Sequence, residues 1–281
     1  MKNLMKPKAE IRARSGAHGF TMVEILVALI AAAVVISAAF QLYLTQHNQL
    51  LVQEDVSEIQ ANARAAAEML AEEIRNTGYR LPGIVTTMEA ANSNPDTLVI
   101  KYATSKLEGV FLADDMSAGY DNVRCTGNPI DELAPGDWVY IYDQDADSGE
   151  AFIATDIDYS TSTIYHGLST LYRAYPAGSS LYSLARDKFY IARSNQGHPN
   201  LMIQRLGQSP AVFAENIETL NFEYFLDDGT STNVLTDFSR VRMIGITVVA
   251  RSFRPELSSP HGEYRTRDFT LKVKLRNFGL T

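Results

Sequence analysis

The stretch Gly19-Phe20-Thr21-Met22-Val23-Glu24 joins a basic leader to a long apolar run and places a carboxylate within that run. The run extends to Leu44, and as a helix its 25 residues would be about 37 Å long. That length exceeds the roughly 30 Å hydrocarbon core of a bilayer, so residues 20–44 are predicted to form a transmembrane helix. An ionised Glu24 is costly in such surroundings and indicates a function with a specific partner.

The leader, residues 1–19, holds five basic residues and one acidic residue. Positive charge stays on the cytoplasmic side of the inner membrane. We therefore expect a single membrane pass with a cytoplasmic N-terminus and a periplasmic chain after about Leu44.

Two other interpretations of this N-terminus remain open. A secretory signal peptide would also begin with basic residues and could be cut near Ser37-Ala38-Ala39, although its apolar part is usually shorter. An ordinary single-span anchor would also be long and apolar, but it gives no reason for Glu24.

The ten residues from Gly19 to Ala28 resemble the prepilin (class III) signal of type IV pilins and type II secretion pseudopilins. The resemblance implies that a membrane-bound prepilin peptidase cleaves between Gly19 and Phe20, and that the new amine of Phe20 is N-methylated. It also implies that the apolar helix stays on the mature protein and assembles with other pilins.

The physical setting of Glu24 fits this implied role. After cleavage Phe20 would carry a cationic amine four residues before Glu24, about one helical turn away. Helix N-termini favour anions, and a buried charge is tolerated when it is paired. The implied assembly partner of Glu24 is the amine of an adjacent subunit.

A continuous helix is predicted from Phe20 to Thr77, because these 58 residues include no Gly and no Pro. Over residues 45–79 apolar residues recur at steps of three or four, which indicates a helix face buried in a core rather than a coiled-coil seam. The stripe consists of Val52, Val56, Ile59, Ala63, Ala66, Leu70 and Ile74. A basic last turn followed by Gly78 and Pro82 predicts the helix end.

Residues 80–281 are predicted to form a β-rich globular domain, since short apolar or alternating runs are separated by turn residues. Strands are expected between Thr97 and Arg276, and Pro210–Asn216 is expected to begin as a short helix. The predicted fold class is α+β, a long N-terminal helix, half transmembrane and half amphipathic, packed on an antiparallel sheet domain. Loops in Asn122–Tyr182 that look inserted leave open a division into two sub-lobes.

Further segments resemble minor pilins of the PilW type. They are Glu72–Arg80 at the expected helix end, Ala214–Tyr224, and Val273–Asn277 near the C-terminus, and the last two also resemble J-type pseudopilins. Thr77 departs from the pattern, which has Ala there. The resemblance leaves Leu81–Arg205 uncovered.

The charge of the chain argues against a nucleic-acid partner. The net charge is −8, and removal of a leader of +4 leaves −12 on the mature protein, whereas phosphate binding needs basic clusters.

Cys125 is the single cysteine and is expected to be a buried, small apolar residue. No catalytic constellation and no cofactor motif stands out, so neither enzyme activity nor a cofactor is expected. The aromatic residues from Trp138 to Tyr182 are interpreted as core and cross-strand pairs rather than a ligand surface.

The run Asp143–Glu150 is a weak candidate for calcium, because Asp143, Asp145 and Asp147 could supply oxygen ligands. It departs from an EF-hand, since Gly149 comes one place late and position twelve is Ala154. A solvated hairpin loop is the simpler interpretation.

The leading functional interpretation is a minor type IV pilin of the PilW type, a structural subunit of the pilus or of its initiating tip. The nearest alternative is a J-type minor pseudopilin of type II secretion. The third is a periplasmic binding or sensor module on a single-span anchor, which predicts no cut at Gly19.

Overall fold

The structure is a computed structural model of the 281-residue chain, and it describes residues 19–82, 85–119, 122–167, 171–195, 197–256 and 262–277. The expected leader, apart from Gly19, lies outside the described residues. Packing divides the chain after Glu54 into two compact units, of which the second is Asp55–Thr281.

Helix α1 spans Met22–Arg75, and its 54 residues correspond to about 81 Å. It confirms the long helix that the absence of Gly and Pro predicts. In the first unit the side chains of α1 are exposed. Within the described residues, α1 is the helix that is long and apolar enough to cross a membrane.

In the second unit one face of α1 is buried, as the apolar stripe predicts. The buried residues are Ile59, Ala63, Ala66, Ala67, Leu70, Ala71 and Ile74. The four alanines among them have small side chains, which let the helix and the neighbouring strands approach closely. Burial begins later than the stripe suggests, because Val52 is exposed and Val56 is only partly covered.

The helix ends at Arg75 because Gly78 adopts a φ of 70°, a conformation that favours glycine and turns the chain away. The Gly78 N–H then donates to the Lys101 carbonyl at 2.9 Å. Close by, Asn277 Nδ2 donates to the carbonyl oxygen of Thr77 at 3.0 Å. The C-terminal segment therefore closes the end of α1.

Strands follow α1 through the described part of the domain, together with two short 3-10 helices at Ser105–Leu107 and Phe238–Arg240. The strands are β1 (Met88–Ala91), β2 (Thr97–Thr104), β3 (Val110–Leu112), β4 (Asn122–Gly127), β5 (Trp138–Asp143), β6 (Ser148–Ile153), β7 (Asp156–Asp158), β8 (Thr163–Tyr165), β9 (Ser180–Arg193), β10 (Pro199–Arg205), β11 (Ala211–Ala214), β12 (Ile217–Leu226), β13 (Ser231–Thr232), β14 (Val241–Pro255) and β15 (Tyr264–Lys274).

Across the described residues these strands form a large sheet of eleven strands and a small sheet with the order β13-β12-β14-β15. The long strand β9 organises the large sheet. It pairs with β2 and β3 along one edge and with β10 and β5 along the other. All of these pairings are antiparallel, so the α+β class with an antiparallel sheet domain is confirmed.

Two hydrophobic cores lie within the second unit. The first joins α1 to the small sheet and to part of the large sheet, through residues such as Leu70, Phe189 and Ile246. The second is built between Leu107 and Leu181, in the region whose loops look inserted. The sequence leaves open a division of the domain into two sub-lobes. The structure has two hydrophobic cores, and both belong to one compact unit.

The prediction of a short helix in Pro210–Asn216 is wrong. Ala211–Ala214 forms strand β11, which pairs with β10. In the last strand, β15, apolar and polar residues alternate in sequence, which predicts one buried and one exposed face. This prediction is confirmed, because Val273 is buried whereas Lys272 and Lys274 are exposed.

Candidate processing and assembly site

The predicted cleavage site precedes the first turn of α1. Gly19 and Phe20 have no regular secondary structure and precede the helix, which begins at Met22, and 82% of Phe20 is exposed. No described heavy atom lies within 4 Å of the position that a Cβ on Gly19 would occupy. Packing within the described chain therefore does not require glycine here.

Glu24 and Thr21 cap the N-terminus of α1. The Glu24 carboxylate accepts hydrogen bonds from the Thr21 N–H at 2.9 Å and from the Thr21 hydroxyl at 3.0 Å. In return, the Glu24 N–H donates to Thr21 Oγ1 at 3.3 Å. This is a capping box, in which residues three apart satisfy the backbone donors that a helix start leaves free.

The capping box gives Glu24 a partner within its own chain, Thr21, whereas its charge alone leads us to expect a partner on an adjacent subunit. The sequence does contain the signal, because Thr21 and Glu24 have the Thr-x-x-Glu spacing before an apolar helix. The two carboxylate oxygens offer more acceptor sites than the two Thr21 donors use. Capping and pairing with a cation are therefore compatible roles.

Beyond the cap, α1 presents an apolar surface. Large side chains such as Ile25, Leu29 and Ile36 are exposed, each by more than half. Monomeric soluble proteins rarely expose a continuous apolar surface of this extent, so this segment needs lipid or other protein around it.

The acidic run forms the turn of the β5–β6 hairpin, as the simpler interpretation predicts. Asp143 Oδ1 accepts from the N–H groups of Asp145 and Ala146, at 3.0 and 3.3 Å. The Tyr142 hydroxyl donates to Asp147 at 2.6 Å, which raises the pKa of Tyr142 to about 12. Two of the three carboxylates thus have local structural partners.

Among the described residues no group of three or more His, Cys, Asp or Glu side chains is arranged to hold a metal ion. The calcium interpretation of Asp143, Asp145 and Asp147 gains no support from this geometry and stays a prediction. Cys125 is buried and free, as expected, and burial raises the pKa of its thiol to about 12.

Comparison with known proteins bears on the N-terminus. Residues 14–40 match the family described as the prokaryotic N-terminal methylation motif. No curated protein matches the chain, and no solved structure matches it. The motif includes Gly19, Phe20 and Glu24, and it supports a type IV pilin-like or pseudopilin protein that prepilin peptidase processes and that assembles with other pilins.

Proposed function

We propose that the chain is a minor type IV pilin of the PilW type, a structural subunit rather than an enzyme. Cleavage and N-methylation precede its insertion into the pilus or its initiating tip complex. The observation that carries the proposal is the start of α1, where the methylation motif coincides with a capped helix whose apolar surface is exposed.

The proposal assigns a role to each part of the chain. Residues 1–19 are the cleaved leader, and residues 20–44 are the transmembrane and assembly segment. Residues 45–79 continue the helix, and residues 80–281 form the pilin-like globular domain. The domain faces the periplasm until assembly carries it from the inner membrane into the pilus.

Gly19 and Phe20 are the two sides of the cleaved bond, and Phe20 is the methylated residue. Since no described atom crowds Gly19, a side chain added there leaves the chain itself undisturbed. Loss of cleavage in Gly19→Val would then report on recognition by the peptidase rather than on misfolding.

Mass spectrometry of the protein purified from membranes of a host with prepilin peptidase tests the proposal. We expect a mature N-terminus of N-methylated Phe20 in the parent and an intact leader in Gly19→Val. A cut near Ala39 would instead show a secretory signal peptide, and an uncut parent would show a plain anchor. Either result refutes the proposal.

Two variants of Glu24 separate its charge from its capping role. Gln also completes a capping box but carries no charge. We expect both Glu24→Gln and Glu24→Ala to be cleaved, and both to enter filaments poorly, because the amine of the adjacent subunit then lacks its partner. Incorporation of Glu24→Gln at the parental level would assign Glu24 to capping alone.

The J-type pseudopilin is the second candidate, because the methylation motif supports that class equally. Incorporation can be measured separately in surface pili and in the pseudopilus of a type II secretion system. Recovery of the parent protein in pili, and not with the secretion system, is the result that the PilW-type proposal requires.

A further inference from the structure

One face of the large sheet carries five aromatic side chains, which we call the aromatic face: Phe111, Trp138, Tyr140, Tyr142 and Tyr182. Alternate residues of a strand share a face, so the three β5 residues lie on the same side. Tyr140 lies opposite Tyr182 of β9, while Tyr142 and Phe111 flank Ser180 of the same strand. The intervening β5 residues Val139 and Ile141 are buried in the second core on the other side.

The aromatic face is accessible but fixed in position. Phe111 is 39% exposed, and Trp138, Tyr142 and Tyr182 are partly exposed. Tyr140, at the centre, is only 9% exposed and fills the space above Gly149. A Cβ at Gly149 would lie 2.6 Å from the Tyr140 ring, so glycine is required for this close approach.

A cavity of about 380 Å³ opens beside the face and is lined by Phe111 and Tyr182. Thr104 also lines it, and the Thr104 hydroxyl is buried without a hydrogen-bond partner among the described residues. Gln144 lines it too, with its amide donating to Ser180 at 3.3 Å. The cavity thus combines aromatic walls with the neutral amide of Gln144, which can exchange hydrogen bonds with a ligand.

The charges around the cavity disfavour an anionic ligand. Arg80 lines the cavity but is paired with Glu108. The acidic β5–β6 turn lies beside Gln144, and the mature chain would carry −12. A polyanion such as nucleic acid would be repelled, whereas an uncharged ligand would not.

We propose that the aromatic face and this cavity bind an uncharged glycan of linked pyranose rings. The C–H faces of pyranoses stack on aromatic rings, and their hydroxyls can bond to Gln144 and Glu108, which line the cavity. On either side of the buried Tyr140, the partly exposed rings of Trp138 and Tyr142 lie about 13 Å apart along β5, so they can contact different sugars of one chain. This activity goes beyond the proposed function and does not depend on it.

Trp138 is the only tryptophan of the chain, so its fluorescence reports directly on the face. The full-length protein is kept in a zwitterionic detergent without a sugar headgroup and titrated with cellohexaose or maltohexaose. We expect a saturable change in Trp138 emission with at least one of them. Tyr182→Ala should raise the half-saturating concentration about tenfold, which corresponds to about 1.4 kcal/mol of lost stacking.

Phe253→Ala is the matched control, since Phe253 is 56% exposed on β14 of the small sheet. It should leave the titration unchanged. If Tyr182→Ala fails to fold by circular dichroism, Phe111→Ala at the more exposed edge carries the same test.

Three results would overturn the proposal. The first is the absence of any response to either sugar at millimolar concentration. The second is a response to a single-stranded oligonucleotide instead of the sugars. The third is a change in Trp138 emission with protein concentration alone, which would place a second copy of the chain on the face.

Discussion

Thr77 buries a hydroxyl group without a hydrogen-bond partner, and its replacement by valine should stabilise the domain. The residue is completely buried just after α1, and Thr77 Oγ1 has no partner among the described residues. Its backbone is satisfied, because the N–H donates to Ile74 and the carbonyl accepts from Asn277. An unsatisfied buried hydroxyl costs about 1–3 kcal/mol. Valine keeps the shape and removes that cost, so Thr77→Val should raise the free energy of unfolding by about this amount.

Thermal unfolding of the full-length protein, followed by circular dichroism, measures the effect. In a domain of this size each kcal/mol changes the Tm by about 2–4 °C. Thr163→Val is the matched control, since Thr163 is also buried but its hydroxyl contacts the Thr161 hydroxyl at 3.0 Å. It should lose about 1 kcal/mol. If Thr77→Val lowers the Tm as much as Thr163→Val does, the Thr77 hydroxyl has a partner and the reasoning fails.

Three further predictions concern Asp187, Asn277 and Cys125. Burial raises the pKa of Asp187, so the folded state binds this proton more tightly and its charge destabilises the fold above that pKa. Asp187→Asn should therefore have a higher Tm than the parent at pH 7, with a gap that closes as the pH falls towards 4; a gap that is constant with pH would contradict this. Asn277→Ala should lower the Tm by a few degrees, because it leaves the carbonyl of Thr77 without its donor at the end of α1, and an unchanged Tm would argue against that cap. Cys125 should resist alkylation at pH 8 until the chain is denatured, as mass spectrometry would show, and labelling of the folded protein would contradict its burial.

The sequence predicts those elements whose local pattern and tertiary role agree. Strands are predicted at Ser180–Arg193 and Ile217–Leu226, and these are the bounds of β9 and β12. A short helix is expected in Pro210–Asn216, yet Ala211–Ala214 pairs with β10 and forms a strand. β4 is short and polar, and its place between β3 and β8 depends on partners distant in sequence. Such non-local pairing is not encoded in a short window.

In the candidate site, too, local sequence patterns are predictable, whereas features that depend on distant strand pairing are not. The apolar run and the Gly19–Phe20 junction are local signals, and both begin within residues 14–40, which match the methylation motif. The capping bonds of Glu24 are also a local signal, because the Thr-x-x-Glu spacing alone predicts them. The aromatic face could not be predicted, because the register of β3, β5 and β9 decides which rings share a side.

Two of the three segments that resemble PilW-type minor pilins meet at the end of α1, where their residues have a structural role. Asn277, from the C-terminal segment, donates to the carbonyl of Thr77, from the helix-end segment. These contacts close the helix against the domain and need no ligand to explain them. The stretch that the resemblance leaves uncovered, Leu81–Arg205, holds the second core and the aromatic face above it. Among the described residues, the part of that stretch from Leu107 to Tyr182 contributes none to the first core, which packs on α1. Exchanging this part between two such proteins should therefore transfer binding while leaving assembly intact.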